Sequence, residues 1–146
     1  MAGYTWFVDG SARDYRTFSV ASGKNFPATG PLGPVLVTTD EIPDPTRLTL
    51  VTRLNGQEMQ RPGTDMLIYS IPQVIKFISD FTILSAGDVI ATGAPAGVGH
   101  RRIPPVWVKV GDVLEMEISG IGTLRNPLVD ESARRACYRR ANAGQV

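Results

Sequence analysis

The sequence predicts a mainly β fold carrying one clear α-helix, and three observations make that prediction. Eleven prolines and fifteen glycines are spread along 146 residues rather than pooled, which is how short strands joined by tight turns read. Apolar residues recur with period two in several segments, the period of a strand with one buried face. In a single segment the period changes to that of a helix.

The first strand candidate is Tyr4-Thr5-Trp6-Phe7-Val8, whose β-branched and aromatic side chains suit a pleated, half-buried surface. The second is "GPVLVTTDEI" at 33–42, stopped by Pro43-Asp44-Pro45. In "RLTLVTRLNGQEMQR" (47–61), Leu48, Leu50 and Leu54 keep period two and Asn55-Gly56 follows. That dipeptide tolerates the positive φ angles of a two-residue hairpin turn. The helix is "SIPQVIKFISDF" (70–81), where Ile71, Val74, Ile75 and Ile78 stand at i, i+3, i+4 and i+7. Ser70 and Gln73 have capping-box spacing, and Pro72 falls in the first turn, where its missing N–H has no intrahelical role. "AGDVIATG" (86–93) and "VGDVLEMEISGIGTLRNPLV" (110–129) each read as a Gly-Asp turn feeding a strand. In the latter, Leu114, Met116 and Ile118 alternate with Glu115, Glu117 and Ser119. From Ser132 onward four arginines and no apolar period predict a loose basic tail.

A net charge of +1 provides no long-range field for nucleic acid or an anionic membrane. Arg134, Arg135, Arg139 and Arg140 are the one local patch, and without an aromatic platform they predict no nucleic-acid partner. No apolar stretch approaches the ~20 residues of a membrane span. The N-terminus lacks the basic-then-apolar order of a signal peptide, so no membrane association and a cytoplasmic location are expected. The lone Cys137 cannot form an internal disulfide. One histidine, His100, and one cysteine exclude a zinc site of common type and leave a hard cation held by carboxylates and water as the metal option.

Asp9 follows the first strand and precedes Gly10-Ser11, as either a turn former or a ligand. Arg13 lies near it across a short turn, and Lys24 reaches the same place if the intervening loop folds back. Their ordinary readings are an ion pair of Arg13 with Asp14 or Asp9, and an exposed charge at Lys24. "ATGAPAGVGH" (91–100) places Gly93, Gly97 and Gly99 around Pro95, a tight turn or a loop that lets a ligand approach backbone. It lacks the Lys-Ser/Thr ending of a phosphate loop. His100, beside Arg101 and Arg102, reads as a solvated loop histidine, with a general base at a pocket mouth as the alternative.

Taken in order, these segments resemble the fumarylacetoacetate hydrolase (fumarylacetoacetase) family, in the C-terminal part of its catalytic domain. "AGYTWFVDGSARD" resembles the family's strand and turn, and "GKNFPATGPLGPVLVTTDEIPDP" its lysine-bearing loop and following strand. "RLNGQEMQRPGTDMLIYSIPQVIKFIS", "LSAGDVIATGAPAGVG" and "PPVWVKVGDVLEMEISGIGTLRNPLVDE" are similar to its hairpin and helix, its glycine loop and its closing strands. The resemblance implies a mixed β-sandwich roll that is N-terminally incomplete here. It implies a partial catalytic domain over 1–131, followed by the tail at 132–146. It also implies a homodimer and a magnesium or manganese ion, used to hydrolyse or otherwise process 2-oxo and 1,3-diketo acids such as acylpyruvates, fumarylacetoacetate and oxaloacetate.

By position the resemblance gives Asp9 a metal-ligand role, Lys24 and Arg13 catalytic roles, and Arg16, Gly93 and Ala94 contacts with substrate. Val8, Arg16 and Ala94 stand where the family usually carries Asn, Gln and Thr. The family's Glu-x-Glu and His-Glu pairs fall upstream of residue 1, which leaves the metal site incomplete in this chain. Glu115-Met116-Glu117 is expected to point its acids outward and does not replace them. The alternative is a truncated, catalytically inactive relative acting as a binding or subunit-like module. Sheet edges left unpaired predict a poorly soluble or oligomeric product.

Overall fold

A computed structural model describes residues 1–132. Strand β1 (Gly3–Phe7) pairs antiparallel with β2 (Leu32–Thr38) in a two-stranded sheet. Strands β3 (Leu50–Leu54), β4 (Gln57–Gln60), β5 (Val113–Ile118) and β6 (Gly122–Pro127) form an antiparallel sheet in the order β4-β3-β5-β6. Helix α1 (Ile71–Ser79) stands apart from both. The sequence thus correctly indicates a mainly β arrangement whose one clear helix, among the described residues, is α1.

The local signals act as their chemistry requires. Asn55 and Gly56 take φ of 52° and 81° at the β3–β4 turn, the left-handed pair that matches strand twist in a tight hairpin. At α1, the Ser70 amide donates to Gln73 Oε1 at 2.8 Å and the Gln73 amide donates to Ser70 Oγ at 3.4 Å. This closed capping box satisfies two amides that the first turn leaves free.

Register places Leu50, Thr52 and Leu54 opposite Ile118, Met116 and Leu114, all on one face of the larger sheet. That face packs on β1 and β2, and the core where they meet is Trp6, Val37, Ile42, Met116, Ile118 and Ile121. On the opposite face Arg53 pairs with Glu117 at 2.8 Å and Arg125 with Glu115 at 3.2 Å. The Glu-x-Glu of β5 therefore points outward, as its alternation predicts.

Asp112 is the buried charged residue behind this sheet. It accepts hydrogen bonds from Asn55 Nδ2 and the Lys109 amide, each 2.9 Å. Asn55 Oδ1 in turn accepts from the Val113 amide at 2.8 Å, so one turn residue ties the hairpin to the start of β5. These bonds hold the Asp112 carboxyl below the usual carboxylate range, the bond from Asn55 first. A group whose folded pKa is depressed stabilises the fold above its unfolded pKa and ceases to do so as pH falls through the folded value. Thermal melts between about pH 5 and about pH 2 should show a falling Tm, with a shallower acid slope in Asp112→Asn. An unchanged slope would remove Asp112 from the account.

Three expectations need correction. No strand forms over 86–93. The Asp88 side chain accepts from the Ser85 amide at 2.7 Å and makes the turn, but a strand needs a hydrogen-bonded partner, and among the described residues none pairs with 89–93. The second strand ends at Thr38, where the Ile42 amide turns back to the Thr38 carbonyl at 3.2 Å and delivers Ile42 to the core. The segment at 110–129 is two strands, broken by a turn in which the Ile121 amide donates to the Ile118 carbonyl at 3.0 Å. Of the basic tail, residues 133–146, Cys137 and the four arginines included, lie outside the described residues.

No described helix is long and apolar enough to cross a membrane. Phe18, Ile68, Phe77, Phe81, Ile83 and Ile103 are all well exposed. Large apolar side chains in that number favour association. Sedimentation velocity of the 146-residue chain should show its mean mass rising with concentration, and a monomer at every concentration would contradict this.

Candidate functional site

The site is built where β1 ends. The Val8 amide donates to the Pro31 carbonyl at 3.0 Å and holds the outgoing chain against the entry to β2. The chain then turns through a 3-10 segment, Arg13–Thr17. The loop after it folds back, fixed by the Ala12 amide donating to the Gly23 carbonyl at 2.8 Å. Only glycine suits position 23, because a Cβ there would come within 2.4 Å of Arg16 Cγ and 2.9 Å of the Ala12 carbonyl oxygen. Tyr15 and Phe26 brace the fold-back edge to face, with ring centroids 4.6 Å apart.

This fold-back delivers Lys24, whose Nζ donates to Asp9 Oδ2. The lysine side chain is 28% exposed, so it is not the freely solvated loop charge of the ordinary reading; the aspartate is 42% exposed. Arg13 pairs with neither Asp9 nor Asp14. Its guanidinium meets the ring nitrogens of His100. Arg16 stretches over Gly23, next to Lys24. The Asp9–Lys24 pair and the Arg13–Arg16 turn therefore belong to one fold-back, joined where Arg16 packs on Gly23.

His100 arrives from a 3-10 turn, Gly99–Arg101. The Val106 amide donates to the Gly99 carbonyl at 3.0 Å and fixes that turn. Arg102 is spent on structure, its guanidinium donating to the carbonyls of Gly97 and Met59. Gln60 holds the same loop by donating to the Ala96 carbonyl at 2.7 Å. The histidine is half-buried rather than solvated, which corrects its sequence reading. Nothing in the local sequence announces this contact, since its partner lies 87 positions away.

The electrostatics are one-sided. Burial, then the charges of Arg16 and Arg101, push the Arg13 guanidinium down from its ordinary value. Burial, then Arg13, Arg101 and Arg16, hold His100 below the usual histidine range. Among the described residues, Arg13, Arg16 and Arg101 form no ion pair.

Gly93 and Ala94 are placed differently. Gly93 has φ of 131°, a conformation side chains rarely adopt, and open space where a Cβ would be. Both residues are exposed, and no hydrogen bond among the described residues joins either to the Asp9 patch. Nearby, Val89 and Ala91 line an open apolar hollow of about 260 Å³ with Phe7, Gly30 and Leu32.

A divalent hard cation does not fit the donors present. Magnesium gives up water reluctantly and needs several oxygens, whereas Lys24 occupies the Asp9 carboxylate. Among the described residues no three His, Cys, Asp or Glu side chains come together as a metal cluster.

Comparison with known proteins adds the following. The family model described as "Fumarylacetoacetate (FAA) hydrolase C-terminal" matches residues 1–129. The bovine (Bos taurus) protein named oxaloacetate tautomerase FAHD2A, mitochondrial, is 40% identical over 133 residues, 88% of this chain and 42% of that protein. Oxaloacetate tautomerase YisK of Bacillus subtilis (strain 168) is 42% identical over 130 residues, 86% of this chain and 42% of that protein. The solved fumarylacetoacetate hydrolase of Exiguobacterium antarcticum superposes with a TM-score of 0.83 at 40% identity, over 87% of this chain and 46% of that one. A 5-carboxymethyl-2-hydroxymuconate delta-isomerase from Mycobacterium smegmatis superposes with a TM-score of 0.77 at 38% identity, over 88% and 48%. The chain thus spans less than half the length of these relatives.

Proposed function

Since this chain belongs to the fumarylacetoacetate hydrolase family, we propose that it supplies the anion-holding side of a site for 2-oxo acids of the oxaloacetate and acylpyruvate class. The observation that carries the reading is the single patch of Asp9, Lys24, Arg13 and Arg16 at the end of β1. Lys24, steadied by Asp9, presents an ammonium to a 2-oxo oxygen. Arg13 and Arg16 present guanidinium groups, whose flat fork matches a carboxylate.

The relatives' names include tautomerase, isomerase and hydrolase. Tautomerising oxaloacetate moves a proton between C3 and the keto oxygen and leaves the carbon skeleton intact. Hydrolysis of an acylpyruvate adds water across a carbon–carbon bond. Both routes pass through an enolate, whose charge falls on the oxygen that Lys24 addresses, and a preplaced donor there favours either. Magnesium or manganese belongs to this proposal only with donors that the described residues do not supply. The homodimer is proposed on the exposed apolar residues of α1 and its surroundings, Phe77, Phe81 and Ile83.

Calorimetric titration tests the reading. Oxaloacetate should bind saturably, and its dimethyl ester, which keeps the shape and loses both charges, should bind at least about tenfold more weakly. Equal binding of the two would end it.

One observation favours the second reading, a binding or subunit-like module without chemistry of its own. Moving the C3 proton needs a free base, and both candidates are engaged, Asp9 with Lys24 and His100 with Arg13. The ultraviolet absorbance of enol-oxaloacetate separates the two readings. Binding without faster loss of enol supports the module, and faster loss supports the enzyme.

A further inference from the structure

We propose that Arg13, Arg16, His100 and Arg101 form a subsite for the second carboxylate of a dicarboxylic 2-oxo acid, and that His100 takes up a proton as that carboxylate enters. The proposal rests on the 2-oxo acid reading for the identity of the ligand, while the subsite itself stands on its own geometry. Two segments far apart in sequence meet here, the 3-10 turn Arg13–Thr17 and the 3-10 turn Gly99–Arg101, through the Arg13–His100 contact. The patch carries the basic side chains Lys24, Arg13, Arg16 and Arg101, and among the described residues Asp9 is the acid that pairs with one of them. Asp14, on the same turn, forms no ion pair among the described residues and offers its backbone oxygen to Thr17 at 2.9 Å.

Clustered like charges that no neighbouring acid offsets are costly unless an anion joins them. A monocarboxylic 2-oxo acid seated at the Asp9–Lys24 end leaves the arginines without a counter-charge. A dicarboxylic one places its far carboxylate between them, where guanidinium groups bind it bidentately.

His100 reports that event. The charged groups acting on its ring are Arg13 and Arg16 from the facing turn and Arg101 from its own. Arg102, the remaining arginine of that loop, is turned to the Gly97 and Met59 carbonyls. In the free protein the ring lies against the Arg13 guanidinium. Burial lowers the ring's proton affinity first and the three guanidinium charges lower it further; an arriving carboxylate draws the Arg13 guanidinium away and cancels that second contribution, so the proton affinity rises. By linkage, a ligand that raises a pKa binds with proton uptake and binds more tightly as pH falls through the titration.

His100 is the only histidine in the sequence, so its ring proton resonances in an untagged chain are unambiguous. The test is a pH titration of those resonances, free and with succinate or butyrate, in EDTA so that no divalent metal contributes. Succinate should raise the His100 pKa by about one unit and butyrate should leave it within about a few tenths. Arg101→Ala should reduce the succinate-induced rise at least about twofold. A His100 pKa that succinate does not move, or that succinate and butyrate move equally, overturns the subsite. If succinate moves it while oxaloacetate binds no more tightly than succinate, the subsite stands and the 2-oxo acid reading fails.

Discussion

Met116→Ala should melt at least about 10 °C below the parent chain or fail to fold. Met116 is 3% exposed at the centre of β5, opposite Thr52 on β3 and Leu124 on β6. It belongs to the one buried cluster joining the two sheets. Truncating such a side chain loses transfer free energy and leaves a cavity, together about 2–5 kcal/mol. Whole-domain stability is about 5–15 kcal/mol, and a core this small places the chain toward the lower end. Met116→Leu, which conserves volume, should cost less than about 1.5 kcal/mol. Circular dichroism melts of the two variants check the pair, and equal losses would show that the cavity is not the cause.

The second large effect concerns binding. Arg13→Ala should weaken oxaloacetate on the order of a hundredfold, because it removes a charge-assisted donor and frees His100 from its partner. Arg13→Lys should recover only part of that loss, since a point charge cannot reproduce the guanidinium fork. Calorimetry of the two variants decides the matter, with thermal melts to establish that both remain folded. Full recovery by lysine would mean that charge alone matters at this position.

What the sequence reveals is what neighbours in the chain decide. The Asn55-Gly56 turn, the Ser70–Gln73 capping box and the alternation of Leu114, Met116 and Ile118 are each written within a few residues, and each forms as read. Strand identity at 86–93 is not local, because a ladder needs a partner and the residues themselves do not say whether one is present. Ile42 enters the core by a turn that its β-branched neighbours disguise as more strand.

The site divides the same way. Gly23, with its neighbours Ala21 and Ser22, suggests a loop able to fold back, and the Asp9–Lys24 pair follows once it does. Gly93 and Ala94 sit in the loop that the sequence singles out, exposed and joined to the Asp9 patch by no hydrogen bond among the described residues. The Arg13–His100 contact escapes the sequence because it depends on two distant turns being set by other bonds, Ala12 to Gly23 and Val106 to Gly99.

The account turns on a division of labour: this chain's patch grips anions, and Asp9 by itself does not hold a hard cation. Titrating magnesium chloride into the metal-free 146-residue chain by calorimetry puts that division to the test most directly. The account predicts no saturable heat up to about 1 mM. Stoichiometric binding at micromolar magnesium would contradict it.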